Sequence, residues 1–423
     1  MKKIIGCIAV LLVLCMATSS VAFAGEAQTT VQIMGPWVVE SPEDSVLKSV
    51  VEGFEAAYPQ YKVELIGVPS ADVNKQVQAM AASQTLPDLV INNGANNAAW
   101  KEMGIVENIE SKFSKEFLDG FYPEMLKAFY YEDELFGLPT CAAPFVLLLR
   151  NDLLTEAGIE VPKSYDEILA AAKKLTVDTN GDGKIDRYGL GLMGFPDANT
   201  ALRFILALFG SDAPDVYKDE AGNFATKIGS PESMDAFKLY MDAQAQGVIP
   251  PGATEVDYKT MVSLLSTDQI AMAISGPHTI GNICVQNPDM VGKFIAVPLT
   301  GRKTVAYLNP YGFVKFANSP NEAGAIAFLE YAAQNFVEMT RVTKRPPSRV
   351  ELAEVAKEAA PEVAAILDCA QYSIDLLNLP FRADIYAAVY EGVNSMMAGM
   401  YATPEDAAEA MRAAVQAVLD EHK

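Results

Sequence analysis

Residues 136–190 contain a succession of strand and helix signals, and they read FGLPTCAAPFVLLLRNDLLTEAGIEVPKSYDEILAAAKKLTVDTNGDGKIDRYGL. Within this stretch, the apolar run Phe145–Leu149 predicts a buried strand. Ser164 and Glu167, three residues apart, form a capping-box pattern that predicts the start of a helix. An acidic, glycine-punctuated loop follows, and Tyr188–Leu192 predicts another strand. Strands alternating with helices in this way indicate an α/β architecture.

The same alternation fills the N-terminal part of the mature chain. Short apolar or alternating runs predict strands, and amphipathic runs that follow Ser, Asp or Pro predict helices. The order is strand Thr30–Met34, helix Ser41–Tyr58, strand Tyr61–Val68, helix Asp72–Ser83 and strand Asp88–Ile91. This β-α-β-α-β order predicts a mostly parallel sheet with helices on both faces.

The first 24 residues have the features of a secretory signal peptide. Lys2 and Lys3 precede the apolar run Ile4–Met16, and Ala22-Phe23-Ala24 matches a signal-peptidase site. We therefore expect export and cleavage after Ala24, with periplasmic or extracellular action. Cys15 raises lipoprotein anchoring as an alternative, but the residue before it, Leu14, is larger than that kind of processing favours.

Composition and charge restrict the partners of the mature protein. The chain has 423 residues, 50% of them hydrophobic and 20% charged, which suits two to three globular domains. A formal net charge of −22 disfavours nucleic acid and anionic membrane surfaces. After removal of the signal, Cys141, Cys284 and Cys369 remain. Their apolar neighbours predict buried thiols, and the sequence leaves open whether any two of them pair.

Five successive segments of the opening stretch carry a family resemblance. They are Leu135-Phe136-Gly137-Leu138-Pro139, Leu149-Arg150-Asn151, Asp152-Leu153-Leu154 to Ala157-Gly158-Ile159, Pro162-Lys163-Ser164-Tyr165-Asp166-Glu167, and Lys174-Leu175-Thr176. In this order they resemble the family 1 extracellular solute-binding proteins of ABC importers, which include the maltose-binding type. Arg150 and Tyr165 depart from the family pattern, which usually has Tyr and Trp there.

This resemblance implies the fold and the function. The expected fold is an α/β, two-lobed periplasmic-binding-protein fold of the type II kind with a hinge between the lobes. The lobes would comprise residues 29–140 plus 311–345 and residues 141–310 plus 346–423. The expected protein is a monomer that catalyses no reaction, binds a carbohydrate in the interlobe cleft and delivers it to an ABC permease. A polyamine or glycerol phosphate as solute, or a secreted glycoside hydrolase, are the alternatives.

Enzyme motifs give little support to the hydrolase alternative. The chain has two histidines, His278 and His422, and the second is next to the C-terminus. No G-x-S-x-G, H-E-x-x-H or Walker A motif is present in the sequence. Carboxylates are abundant, so counting alone leaves a glycosidase pair open.

The acidic loop matches most of a calcium-binding pattern. Asp178, Asn180, Asp182 and Asp186 provide side-chain oxygens at EF-hand spacing, and Lys184 would contribute a backbone carbonyl. The bidentate glutamate expected at the end of the pattern is Gly189 here. We therefore predict either a calcium site or a metal-free turn rich in Asx and glycine. No other cofactor is expected.

Candidate ligand-binding residues lie just after predicted strand ends or at positions that the resemblance places near the cleft. Sugar sites combine flat aromatic faces with amides and charged groups that bind hydroxyls. The candidates are Trp37, Asn92, Asn93, His278, Asn309, Tyr311, Arg345 and Arg349. Several have a structural alternative: Trp37 could pack in a core, the Asn92–Asn93 segment could form a turn, and His278 could be a packed residue.

Overall fold

The computed structural model describes residues 28–360 and 362–422. The predicted signal peptide, 1–24, lies outside these residues. In the described part, the strands are β1 Thr29–Gly35, β2 Tyr61–Gly67, β3 Leu89–Asn92, β4 Tyr130–Tyr131, β5 Glu134–Leu135, β6 Gly137–Ala142, β7 Val146–Arg150, β8 Tyr188–Gly191, β9 Tyr217–Lys218, β10 Phe224–Ala225, β11 Ile270–Ser275, β12 Phe294–Val297, β13 Leu299–Thr300, β14 Thr304–Val305 and β15 Pro310–Lys315.

The α-helices surround these strands. They are α1 Glu43–Ala57, α2 Val73–Ser83, α3 Asn97–Glu102, α4 Lys115–Asp119, α5 Pro123–Lys127, α6 Asn151–Glu156, α7 Tyr165–Leu175, α8 Ala198–Gly210, α9 Met234–Ala245, α10 Tyr258–Ser266, α11 Pro277–Gln286, α12 Glu322–Asn335, α13 Val337–Thr343, α14 Ala353–Ala359, α15 Glu362–Cys369, α16 Arg382–Met397 and α17 Pro404–Glu421. No helix in the described ranges is long and apolar enough to cross a membrane.

Two sheets define two lobes. The sheet of the first lobe has the order β2-β1-β3-β15-β6, and that of the second has the order β12-β7-β11-β8. The α/β class and two-lobed architecture are confirmed, but the sheets are mixed, not mostly parallel. β15 pairs antiparallel with β3 and β6, and β7 pairs antiparallel with β11 and β12. The reason is that β7 and β15 are entered directly from the other lobe, not through a helical crossover.

The first lobe has a core built on the helical spacing of α1. This helix buries Val46, Val50 and Phe54 on one face against the sheet. The ring of Phe54 meets that of Phe328 on α12 edge-on, with centroids 5.2 Å apart. Burying a side chain of this size stabilises the fold by roughly 1.5–3 kcal/mol relative to leaving it exposed.

The second lobe is organised around α8, which is buried over most of its surface. It packs against α16, and α16 packs against α17. The predicted cap of α7 is present: Ser164 Oγ accepts a hydrogen bond from the Glu167 backbone N–H at 3.1 Å. The reciprocal bond of the capping box is shifted by one residue, because the Glu167 carboxylate accepts from the Lys163 N–H.

Two chain crossings join the lobes side by side. One leads from β6 to β7 and the other from β14 to β15. Phe145 and Tyr307 exchange backbone hydrogen bonds of 2.7 and 3.0 Å across them. Residues after α13 also touch the first lobe, since the Ser348 carbonyl accepts from the Tyr122 N–H. The residue boundaries predicted for the lobes stay a prediction. Cys141 and Cys369 are buried, as their neighbours predicted, and Cys284 is partly buried.

Candidate functional site

The carboxyl ends of the parallel strands and the two crossings meet between the lobes. β1 and β3 end there in the first lobe, at Gly35 and Asn92. β11 ends there in the second lobe, at Ser275. Gly276 permits this close meeting, because a Cβ on it would lie 1.8 Å from the Pro144 carbonyl oxygen of the crossing. Open α/β sheets place their ligands at such strand ends.

Trp37 follows β1, but its ring lies in the core of the first lobe. The side chain is 1% exposed. Its ring centroid is 6.1 Å from that of Tyr311, 5.9 Å from that of Phe313 and 5.5 Å from that of Phe336. The packed-core alternative accounts for all of these contacts. The role of Trp37 as a ligand platform stays a prediction.

The asparagines predicted after β3 and before β15 come together. The Asn93 Nδ2 donates to the Asn309 Oδ1 at 3.1 Å, which links the two segments. The Asn92 Oδ1 accepts from the Asn93 N–H, and the Asn92 Nδ2 is buried without a hydrogen-bond partner. Gly94, with φ 79°, lets the chain turn here, since a Cβ would meet the Ala128 carbonyl at 2.2 Å. The structure therefore brings Asn93 and Asn309 together, and their role in ligand binding stays a prediction.

A cavity of about 720 Å³ opens beside this amide cluster, with walls from both lobes. We call it the interlobe cavity. Its lining combines aromatic rings, amides and charged groups: Asn93, Gly94, Ala95, Glu124, Lys127, Ala128, Tyr130, Tyr131, Glu132, Asp133, Lys218, Phe224, Tyr307, Leu308, Pro310, Ser373, Ile374, Asp375, Leu376, Leu377, Asn378, Leu379, Arg382 and Tyr386. Its volume is within the range of small-molecule sites.

The tyrosines of the cavity present neutral hydroxyls. Burial raises the pKa of Tyr386 to about 12. Burial and a hydrogen bond to Glu110 raise the pKa of Tyr130 to about 12 as well. Burial also raises the pKa of Tyr307. These phenols can therefore donate and accept hydrogen bonds at neutral pH while their rings offer flat apolar faces.

A buried ion pair supports one wall of the cavity. The Arg382 Nη1 donates to the Asp215 Oδ2 at 2.5 Å, and Asp215 is 0% exposed. Burial alone would lower the pKa of Arg382, but the Asp215 carboxylate leaves it raised. The guanidinium lies 5.5 Å from the ring centroid of Tyr386. Arg382 therefore positions this ring while its own charge is balanced by Asp215.

A second group of residues lies at the end of β11, next to the crossing residue Phe145. The ring of His278 meets those of Phe145 and Tyr258 at centroid distances of 6.2 and 5.9 Å. Burial, and then the positive charges of Arg345 and Arg203, hold the pKa of His278 well below its usual value. We call Arg203, Tyr258, His278 and Arg345 the arginine cluster.

Arg345 connects this cluster to the first lobe. Its Nη2 donates to the Glu43 Oε1 at 2.7 Å. Its guanidinium lies 5.6 Å from the ring centroid of Tyr311. Burial alone would lower the pKa of Arg345, but Glu43 and then weaker neighbours leave it raised. Tyr311, which the sequence proposed as a ligand residue, thus lies between Trp37 and Arg345.

A match to a family model identifies the family of this chain. The model described as bacterial extracellular solute-binding protein matches residues 39–335, which is more than half of the chain. The chain is a bacterial extracellular solute-binding protein. The family suggested by the motifs around Pro139 and Pro162 is therefore confirmed.

Relatives and solved structures agree with this assignment of the solute-binding protein. A binding protein of Brucella abortus is 26% identical over 326 residues, covering 75% of this chain and 74% of that one. A maltotriose-binding protein of Pyrococcus abyssi is 23% identical, covering 69% and 60%. A solute-binding protein of Thermotoga lettingae, solved with alpha-D-tagatose, superposes with a TM-score of 0.81 at 24% identity, covering 93% of this chain and 100% of that one.

Arg349 does not join either group of cleft residues in this solute-binding protein. Its guanidinium pairs with Glu351 and donates to the Phe117 carbonyl. It also lies over the rings of Phe117 and Phe121, 4.5 and 4.8 Å from their centroids. These contacts fix Arg349 on the first lobe, apart from Asn93 and His278.

The predicted calcium residues lie together in one exposed loop of the solute-binding protein. The Asp178 carboxylate accepts from the backbone N–H groups of Gly181 and Gly183, at 2.7 and 2.8 Å. The Asp186 carboxylate accepts from Thr179 and Asn180. In the described ranges no group of three His, Cys, Asp or Glu side chains is arranged to hold a metal ion. The hydrogen bonds explain the shape of the turn without calcium, and the metal site stays a prediction.

The aromatic lining of the cavity and Arg203 are not among the residues that the sequence predicted for the site. Tyr130, Tyr307 and Tyr386 lie in segments whose sequence gives no strand-end signal. Arg203 did leave a signal: it is the single charged residue in the apolar helix run Ala201–Phe209. A lone cation in such a run requires a partner when the helix is buried.

Proposed function

We propose that this solute-binding protein binds a carbohydrate in the interlobe cavity and delivers it to the permease of an ABC importer. The observation that carries the proposal is the cavity lining, which places rings such as Tyr386 and Tyr130 beside amides such as Asn93 and Asn378. Rings stack on the apolar faces of sugars, and amides donate and accept to single hydroxyls. The names of the maltotriose-binding relative and of the tagatose-bound structure support the same ligand class.

The proposed cycle of binding, closure and delivery involves no catalysed reaction. A solute that contacts both lobes stabilises their closed arrangement, and the crossings next to Phe145 and Tyr307 would serve as the hinge. The permease would recognise the closed form. We also propose that the protein acts outside the cytoplasm after cleavage at Ala24; intact mass of the secreted protein tests this, and a lipid adduct on Cys15 would contradict it.

The ligand class is tested by a sugar library offered to buffer-exchanged protein. We expect at least one carbohydrate to raise the melting temperature and to give a saturable calorimetric titration without product formation. Turnover of the sugar would contradict a pure binding role. The site is tested with the tightest sugar and Tyr386→Ala, for which we expect affinity to fall about tenfold or more, equivalent to ~1.4 kcal/mol.

Tyr401→Ala is the matched control, because Tyr401 is also partly buried in the second lobe but does not line the cavity. We expect its affinity to equal that of the wild type. If Tyr386→Ala also binds like the wild type, the interlobe cavity is not the sugar site.

A further inference from the structure

Arg203 is a buried cation without a carboxylate partner. Its side chain is 2% exposed. Every other arginine in the described ranges forms an ion pair with Asp or Glu. Arg203 donates instead to the carbonyls of Ile274 and Asn199, at 2.8 and 3.0 Å, and to the Ser275 Oγ at 3.4 Å. Removing a charge from water without a counter-ion is costly, so this position requires an explanation.

The surroundings of Arg203 compensate its charge only in part. Its guanidinium lies over the rings of Phe145 and Tyr258, 4.8 and 5.7 Å from their centroids. Burial lowers the pKa of Arg203 to about 10, which shows that its neighbours do not restore the ordinary value. Asp197 acts on it only at longer range, and this carboxylate already caps α8 through the Thr200 N–H. The charge is therefore left without a counter-ion at this end of β11.

Two further buried nitrogens of the arginine cluster have no hydrogen-bond partner. The Arg345 Nε is buried without a hydrogen-bond partner, although its Nη2 binds Glu43. The His278 Nδ1 is also buried without a partner, in a side chain that is 7% exposed. His278 is the second residue of α11, whose N-cap Gly276 provides no side-chain cap. The positive end of that helix dipole therefore adds to the charges of the two guanidiniums.

The arginine cluster adjoins the interlobe cavity through a pair of stacked rings. Tyr307 lines the cavity, and its ring stacks on Phe145 at a centroid distance of 6.1 Å and an interplanar angle of 5°. Phe145 in turn contacts the ring of His278. A hydroxyl series, Ser275 Oγ to Thr279 Oγ1 to the Tyr258 hydroxyl, surrounds the same end of β11. The rings of Tyr307 and Phe145 therefore separate the cavity from the cluster, and an anionic group on the solute would have to pass between them.

We propose that the carbohydrate carries an anionic group, a carboxylate or a phosphate, and that Arg203, Arg345 and the N-terminus of α11 receive it. The inference rests on the proposed carbohydrate function and names its substrate class. An anion would provide Arg203 with its missing counter-ion and accept from the free Nε of Arg345. The formal net charge of the chain is −22, so this cluster is a local exception. A neutral sugar would leave the charge of Arg203 uncompensated in the closed cleft.

The wild-type protein tests the charge requirement without any mutation. The probes are pairs that differ only at the anionic group: D-galacturonate with D-galacturonamide, D-glucuronate with D-glucuronamide, and hexose 6-phosphates with the parent hexoses. We expect a charged member to bind at least about tenfold more tightly than its neutral partner, equivalent to ~1.4 kcal/mol. Whether uronates or phosphates bind distinguishes the two sources of charge. Neutral members that bind as tightly as the charged ones would overturn the inference.

Arg203→Gln tests whether Arg203 causes the preference for the charged member, and Arg150→Gln is its matched control. Arg150 is equally buried, but it lies at the opposite end of the second sheet and is paired with Asp152 and Asp268. We expect Arg203→Gln to lose the preference for the charged member and Arg150→Gln to keep it. If Arg203→Gln does not fold, Arg345→Gln provides the same comparison. Unchanged preference in the folded variant would overturn the assignment.

Failure of the inference can be distinguished from failure of the proposed function. Tight binding of neutral sugars with no charge preference keeps the carbohydrate function and rejects the anion site. Binding of glycerol 3-phosphate or a short dicarboxylate, with no sugar bound, keeps the anion site and rejects the carbohydrate function.

Discussion

The two lobes differ in how far the side chains near the cleft find hydrogen-bond and charge partners within their own lobe. On the first lobe, Trp37 packs among three aromatic rings, and Asn93 binds Asn309. On the second lobe, Arg203 has no carboxylate and the His278 Nδ1 has no hydrogen-bond partner. Among these cleft groups, the first surface leaves only the Asn92 Nδ2 without a partner, whereas the second leaves the charge of Arg203 without a counter-ion and the His278 Nδ1 without a partner.

This difference separates two tasks that one cleft has to perform. A surface whose side chains already have partners within their own lobe contributes stability and shape, because those side chains are held in place without a ligand. A surface with unused buried donors contributes selectivity, because such groups penalise every solute that fails to bind them. We therefore expect mutations on the first lobe's side to affect folding mainly and those on the second lobe's side to affect binding mainly.

The largest effect is expected for Trp37→Ala, which tests the first half of the comparison. Removing this fully packed ring leaves a cavity beside Phe313 and Phe336. We expect the free energy of unfolding to fall by ~3–5 kcal/mol. Denaturant unfolding of the ligand-free protein measures it. A loss of sugar affinity with little loss of stability would instead place the Trp37 ring at the ligand, as the sequence suggested.

A smaller effect is expected from the pH dependence of stability at His278, which tests whether the second lobe buries this ring uncharged. The folded protein resists protonation of this ring, whereas the unfolded chain binds the proton near the ordinary pKa of 6.5. The unfolded state thus binds more protons below that pH, so stability falls as pH falls through 6.5. The loss reaches about 1.4 kcal/mol at one pH unit below it.

His278→Gln should remove this part of the pH dependence, measured by denaturant unfolding between pH 7.5 and 5.5. His422→Gln is the control, because His422 is exposed and is the only other histidine. Equal slopes for the wild type and His278→Gln would show that the ring is not held neutral.

The smallest effect is expected in the acidic loop of the second lobe. It tests whether the carboxylates of this loop are free to bind a metal ion. The carboxylates of Asp178 and Asp186 already accept backbone hydrogen bonds, so we expect calcium or a chelator to leave the melting temperature unchanged. A calcium-dependent rise that Asp178→Asn and Asp182→Asn abolish would establish the predicted metal site instead.

Much of the fold could be predicted because its signals are local. The predicted strand Tyr61–Val68 and helix Asp72–Ser83 match the observed Tyr61–Gly67 and Val73–Ser83 within a residue. Their periodicity and caps depend only on neighbouring residues. The mixed strand directions could not be predicted from the residues, because they depend on where the chain crosses between lobes.

The site was predicted less completely. Strand-end logic selected Asn93, which lines the interlobe cavity, and the family resemblance selected His278, which lies beside Phe145. Neither selected Tyr307 or Tyr386, because they reach the cavity through the packing of distant segments. Arg203 did stand out in the sequence as a charge within an apolar helix. Its significance could not be predicted, because the lack of a counter-ion is visible only in the structure.

The most direct test of the account is a crystal structure with the tightest-binding acidic sugar. We expect a sugar ring between Asn93 on the first lobe and Tyr386 on the second, with its anionic group within hydrogen-bond distance of Arg203 or Arg345. A sugar bound outside the interlobe cavity, or one whose anionic group points to solvent while Arg203 keeps only its carbonyl partners, would contradict it.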